Sequence, residues 1–521
     1  IKSFIPLDQA SEASFNQNGK TVYFVRPADH RNVTKRYKGG TARQIWRFTE
    51  GDKEAIKLTK DHLGESHHPI WYSDKVYFIT DRDGVMNLWS MNEDGGELTQ
   101  LTKHTEFDVR YANVSNGTIV YQLGADLWKY SFSSEKSTKI NIKLVSDHEQ
   151  LREKWDENPS KYITNIDTNK DGSKIVITAR GKVFVVPVNA GRIISFSDKS
   201  DIRYRDATFS SDGKEIITLS DESGEFEFIR MPANGIGASK PITENGTILR
   251  YDGVPSPDGK WIAYSDLSEH MYLLNIATGK SSKLSTNQEG IGDYSWSPDS
   301  KWLSFVQVAE NTMAQIKVYN VDRKKSFDLT TDRANSTSPE WSPDGKFLYF
   351  ISDRSFTTIV RSPWGTRQPE PYFDASEKIY HVALQKGTRS PFRPNDELYV
   401  KEECKDCDEK EVTVLIDQEG IKERIKAVPI KPGNYKNLTV NKSALYVLHS
   451  DTGVNAKTHL SVVKITNKDI SITTILDDVK NYQLTADGKK MLISKGKGFY
   501  MAKAGTAKIT TNKKNSINLS G

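Results

Sequence analysis

Four short stretches of this chain set groups capable of chemistry side by side. TKRYKGGTARQIW (34–46) gathers Lys35, Arg36, Lys38 and Arg43 around Gly39-Gly40. Backbone amides beside paired glycines, together with ammonium and guanidinium donors, can converge on an anion. On composition alone a solvated loop between two blade strands is the better reading. DHLGESHHPIW (61–71) holds His62, His67 and His68 in a spacing that matches no zinc motif, so it is read as a solvated inter-strand loop. Cys404 and Cys407 form one CxxC within KEECKDCDEK, half of a four-ligand site and outside any βαβ setting. They are read as a short-range disulfide or two free thiols on a loop, and no metal or cofactor is expected. RSPWGTRQPEPYF (361–373) brings Trp364 and Arg367 into a proline-rich segment that could rim a channel or cover a sheet edge.

Other catalytic signatures are missing. The sequence contains no GxSxG elbow, no HExxH, and no Walker or GxGxxG loop. Ser256, Asp258, Gly259 and Trp261 resemble the Asp box of propeller glycosidases, but the spacing is too short. The aspartate of each such phrase is therefore read as a turn-former rather than a catalytic acid.

That phrase recurs along the chain: SPDGKWIAYSD (256–266), SPDSKWLSF (297–305) and SPDGKFLYFISDR (342–354), with weaker copies at 16–26, 169–180, 210–224 and 485–496. Between the markers Gly172, Gly213, Gly259, Ser300 and Gly345 the steps are 41, 46, 41 and 45 residues. A period of forty-odd residues, each a tight turn followed by alternating apolar residues, predicts a β-propeller. The turn is expected to feed the first strand of each unit. MYLLNIATG (271–279) would follow as the second, and a Leu/Ile-Thr/Ser pair such as Leu58-Thr59 or Leu329-Thr330 would close it.

From about residue 160 the phrases allow seven or eight strand groups. Two degenerate units are placed around DELYV (396–400) with EVTVLID (411–417), and around SALYVLHSD (443–451). A seven-bladed ring is the expectation, with its last strands available to complete the first blade. The first 143 residues hold only three units, near Gly19, Trp71 and Gly117. Three blades cannot close a ring without exposing edges and faces. This, and a start at IKSFIPLDQA without an initiating Met or signal peptide, leads us to expect further blades outside the chain. The charged stretch VSDHEQLREKWDENPSKY (145–162) reads as a short helical or extended linker.

The 73 basic and 68 acidic residues are interspersed and leave a net charge of +5, which argues against a nucleic-acid track. No stretch approaches the roughly 20 apolar residues that span a bilayer.

Longer sentences between the repeats resemble the tricorn peptidases and their bacterial homologues. They include TKRYKGGTARQIWRF (34–48), FITDRDGVMNLWSMNEDG (78–95), VSDHEQLREKW (145–155), SDESGEFEFIRMPANGIG (220–237) and RSPWGTRQPEPYFD (361–374). The match runs from about residue 7 to 400 and is looser beyond. The resemblance implies an all-β chain of two propellers in tandem: residues 1–143 as the second half of a six-bladed ring, 144–161 as linker, 162–521 as a seven-bladed ring. It implies the non-catalytic propeller region of a serine peptidase, gating peptides and products. Its partners would be peptide substrates, PDZ-like and catalytic domains not found in this chain, and, as in the family, a hexameric assembly. No residue here matches the family's catalytic groups. Lys35 and Arg36 are the candidates for the basic pair with which the family holds a peptide's terminal carboxylate. A stand-alone TolB-like propeller that binds proteins and the propeller cap of a prolyl-oligopeptidase type enzyme are the rival readings. The compartment, periplasm or cytoplasm, stays open.

Overall fold

A computed structural model describes residues 5, 7–27, 35–152, 154–155, 157–196, 199, 201–251, 253–286, 290–355, 358–359, 372–397, 399, 411–453 and 455–519. Cys404, Cys407, Trp364 and Arg367 lie outside them. Among the described residues there are 41 strands, three 3₁₀ turns and no α-helix, and no helix is long and apolar enough to cross a membrane. The strands form nine four-stranded sheets, one three-stranded sheet and one two-stranded ribbon, every pairing antiparallel between neighbours. This is an all-β chain of two propeller domains.

The chain divides into two compact units, Ile1–Lys154 and Trp155–Gly521. The first holds three blades, I to III, over 11–57, 66–100 and 109–139. The second holds seven, blades 1 to 7, over 163–195, 204–241, 254–286, 291–328, 336–427, 434–476 and 481–503. The stretch 145–162 carries two single 3₁₀ turns, Glu149–Leu151 and Pro159–Tyr162, with no buried residue in either.

The turn phrase builds each hairpin by local hydrogen bonds. In blade 3 the Gly259 N–H donates to the Ser256 carbonyl (2.9 Å). The Ser256 hydroxyl donates to Asp258 Oδ1 (2.6 Å), which also accepts the Lys260 N–H (3.1 Å). Gly259 sits at φ +71°, which a Cβ would disfavour. The same bonds recur at Ser297-Asp299 and Ser342-Asp344. The phrase joins the first and second strands of a blade, however, rather than opening it. The strand after it, such as Trp261–Ser265, is second in its sheet, and His270–Asn275 is third.

The closing Leu-Thr pair locks the third strand. The Thr59 hydroxyl accepts the Ile45 N–H (3.0 Å) and donates to Gln44 (2.8 Å). Thr102 does the same for Leu88 and Asn87.

Alternation places each blade between two neighbours. All six residues of Phe347–Ser352 are buried. Leu348 and Phe350 pack with Trp302, Ile316 and Val318 of blade 4. Phe347, Tyr349 and Ile351 pack with Leu445, Val447 and Val463 of blade 6. Each such large side chain contributes about 1.5–3 kcal/mol. The ring closes where Ile175, Ile177 and Val186 of blade 1 meet Leu492 and Met501 of blade 7.

Two expectations are corrected. The last residues do not complete blade 1, which has four strands of its own. The tail instead returns along blade 7: Met501 N–H donates to Asn515 O (2.9 Å) and Ile517 N–H to Phe499 O (2.8 Å). EVTVLID (411–417) is not a strand either. Its Val414 carbonyl accepts the Trp302 indole N–H (3.2 Å) and its Val414 N–H donates to Asp299 (2.9 Å), tying it onto blade 4. Residues 336–427 are therefore one blade interrupted by long insertions, and the count is seven.

Candidate carboxylate-binding site

In blade I, 17 residues (27–43) separate the second strand, Thr21–Arg26, from the third, Gln44–Thr49. An ordinary hairpin needs two to five. The described part of this long loop crosses blade II. The Arg36 Nε–H donates to the carbonyl of Gly84 in the turn between the middle strands of blade II (2.9 Å). The Lys35 ammonium reaches Asp108, just ahead of blade III, at 2.9 Å. Lys35 and Arg36 are exposed, so the loop acts as a strap that presents two adjacent cations to solvent.

Asp108 is the better buried partner, its side chain 15% exposed against 68% for Lys35. It also accepts the Met86 N–H (3.2 Å). Burial alone would raise its pKa. The Lys35 ammonium, the Met86 N–H and the charge of Arg110 together hold the carboxyl below its ordinary value. Arg110, on the first strand of blade III, is exposed.

The other residues of the cationic stretch have different duties. Arg43 is a strut between blades, paired with Glu65 at 2.9 Å and Glu12 at 3.5 Å. Gly39 lets the Tyr37 ring fold over the loop: a Cβ there would lie 2.3 Å from the Tyr37 hydroxyl. The Gly39 carbonyl accepts the Ala42 N–H (3.0 Å), so the glycine pair makes a turn.

His62 lies in the loop between blades I and II, as the sequence reading had it, but His67 and His68 do not. His67 and His68 lie on the first strand of blade II, Ser66–Tyr72, and are half-buried. His62 bonds Asp81 at 2.6 Å, and His68 Nε2 bonds the Ala112 carbonyl at 2.6 Å. No group of three metal-ligating side chains occurs among the described residues.

In the second unit, the first strands of the blades surround a common interior. A cavity of ≈ 280 Å³ is lined by Asn165, Asp206, Asn437 and Asn481, from blades 1, 2, 6 and 7. At Asp206, Asp293, Ser338 and Asn437 the first strand bulges through a left-handed residue (φ 49–54°). Bulge residues reach to the next blade: Asp293 accepts the Ser338 N–H (2.9 Å), and Asn437 Nδ2 donates to Asn481 (2.8 Å). Glu340, two residues beyond one bulge, is pushed up to about 8 by burial. The Asp293 charge adds to that shift and a hydrogen bond with Ser295 opposes it.

The sequence singles out Lys35 and Arg36 as candidates, and the structure sets Asp108 against Lys35, with the charge of Arg110 acting on Asp108. Neither Asp108 nor Arg110 carries a local signature, because FDVRYANVS reads as ordinary strand. Only the packing of the blades brings Asp108 to the strap.

The family model described as "Tricorn protease N-terminal beta propeller domain" matches residues 2–136. The model described as "Tricorn protease second beta propeller domain" matches residues 163–505. Tricorn protease homolog 1 of Streptomyces coelicolor is 25% identical over 490 residues, 88% of this chain and 44% of that protein. The Tricorn protease of Thermoplasma volcanium is 26% identical over 518 residues, covering 95% and 47% respectively. A crystal structure of the tricorn protease superposes with a TM-score of 0.62 at 20% identity, covering 95% of this chain and 47% of that one; this likeness concerns the fold. The chain thus spans less than half the length of these relatives.

Proposed function

The chain belongs to the tricorn protease family, and from that premise we propose that its propellers gate and anchor peptides for a serine-peptidase domain that degrades oligopeptides. The anchor is the Lys35-Arg36 pair. The observation that carries this reading is the strap itself, which holds two neighbouring cations in solvent on the first propeller unit. An ammonium and a guanidinium side by side can share the two oxygens of a terminal carboxylate through charge-assisted hydrogen bonds. Such a contact reads the end of a peptide and ignores its side chains. A peptide held by its carboxylate would be cut at a set distance from that end and release short fragments. The polar interior of the seven-bladed ring suits passage of extended chains, because carboxamide and hydroxyl groups line it. The assembly around these propellers, including a hexamer and a PDZ-like domain, belongs to the same proposal.

The test is peptide binding by fluorescence anisotropy. An N-terminally fluorescein-labelled alanine heptapeptide is compared with the same peptide carrying a C-terminal amide. The wild-type chain should prefer the free carboxylate, and the K35A/R36A double variant should abolish that preference. An equal effect of the substitutions on both peptides removes the anchor from this pair.

A further inference from the structure

The strap already holds a carboxylate. Asp108 sits on the Lys35 ammonium at 2.9 Å, fixed from behind by the Met86 N–H at 3.2 Å, with Arg110 two residues further along the chain and Arg36 next to Lys35. We propose that Asp108 is an internal stand-in for the peptide's terminal carboxylate, occupying a seat formed by Lys35, Arg36 and Arg110 until a peptide displaces it. This rests on the anchor reading above and adds a regulation to it.

Three observations carry the inference. The partners are unequal: Asp108 is held in the protein while Lys35 stands mostly in water. Lys35 is therefore the group that can exchange partners, swinging from Asp108 to an incoming anion. Arg36 is tied through Nε to the Gly84 carbonyl, which leaves the outer edge of its guanidinium facing away from that bond. Third, the described residues of the strap, 35–43, contain no Asp or Glu. An arriving carboxylate therefore competes with Asp108. The contest is close, because an exposed ion pair is weak and readily exchanged. The latch excludes weakly held anions and lets through a ligand whose further contacts along the peptide tip the balance.

Removing the charge of Asp108 should strengthen peptide binding. Asp108→Asn keeps an oxygen for the Met86 N–H, so the loop before blade III retains its bond. The Asn variant should bind the labelled alanine heptapeptide about two- to fivefold more tightly than wild type, the range expected from losing an exposed ion pair. Binding of the amidated peptide should not change. A second neutral variant, Asp108→Ser, should behave as Asp108→Asn. Arg110→Ala should weaken the carboxylate peptide and leave the amide unaffected. If both neutral variants bind the carboxylate peptide as wild type does, or more weakly, Asp108 only braces the strap and the proposal fails. No effect of Arg110→Ala likewise overturns the three-cation seat. These failures can be told apart from failure of the anchor reading. In the former K35A/R36A still loses carboxylate preference; in the latter it does not.

Discussion

Arg250→Met should destabilise the second unit by about 3 kcal/mol, and the reason lies in one buried carboxylate. Glu227 and Arg250 pair across the junction between blades 2 and 3, with side chains 4% and 13% exposed. Glu227 Oε2 accepts from Arg250 Nη1 and from the Thr243 hydroxyl, while Oε1 accepts the Gly246 N–H. Arg250 Nη1 also donates to the Phe226 carbonyl (2.9 Å). Removing one member of a buried pair typically costs about 3–5 kcal/mol, because it strands the other charge. Here the Thr243 and Gly246 donors remain on Glu227, which places the loss at the low end. Glu227→Gln together with Arg250→Met leaves no buried charge, so the double variant should be more stable than Arg250→Met alone. The coupling should be about 1–3 kcal/mol. Urea unfolding of the four proteins, followed by tryptophan fluorescence and circular dichroism, reads these terms as shifts of midpoint at constant slope. An Arg250→Met loss below about 1 kcal/mol, or strict additivity in the cycle, would refute the claim that this pair is electrostatically coupled.

Two further outcomes follow from other parts of the second unit. His381 is enclosed by the rings of Phe347, Tyr349 and Phe392, and burial, with the Lys426 charge adding, pushes its imidazole down to about 4. The unfolded chain binds a proton near pH 6.5 that the folded chain refuses until about 4. Stability should therefore be complete above pH 6.5 and fall by up to about 3 kcal/mol on acidification to pH 4, a slope that His381→Phe removes in denaturation curves taken across that range. Asp258 and Asp299 serve equivalent turns in blades 3 and 4, but Asp299 also accepts the Val414 N–H (2.9 Å). Asp299→Ala should cost about 1 kcal/mol more than Asp258→Ala in urea unfolding, and equal losses would show that the 411–417 segment is not held there.

What could be read from the sequence was local. The Ser-Pro-Asp-Gly turn closes within four residues, so its Asp and Gly reveal a hairpin wherever it stands, and forty-residue spacing reveals a ring. Blade 5 was misread because its second strand ends at Ser352 and its third begins at Lys378, which breaks the period. Val412 and Val414 alternate like a strand, but the Val414 main chain is taken by Trp302 and Asp299 from more than a hundred residues away. The bulges were invisible, because Asp206, Asp293, Ser338 and Asn437 carry no glycine to announce a left-handed backbone. In the candidate site the cations Lys35 and Arg36 were legible as neighbours in sequence. Gly84 stands 48 residues from Arg36, and only the stacking of blades decides that contact.

The bulges also bear on where selectivity can reside. A bulge leaves a main-chain N–H without a ladder partner, and a buried N–H must find one. In the first unit Glu12, itself left-handed, accepts the His68 N–H at 2.7 Å. Burial would raise the Glu12 carboxyl, yet His67, the His68 N–H and Arg43 hold it at about 2. In the second unit Asp293 accepts the Ser338 N–H in the same way. Glu12 and Asp293 are thus committed to joining one blade to the next, and exchanging their partners would loosen those junctions. Lys35 differs, since it reaches Asp108 from a loop and not from a strand, and its side chain is mostly exposed. A ligand can take Lys35 from Asp108 without disturbing any strand pairing. On the proposal above, the strap would be where binding is selective at little structural expense. By the same reasoning, a substitution at Glu12 should act on stability and one at Asp108 on affinity.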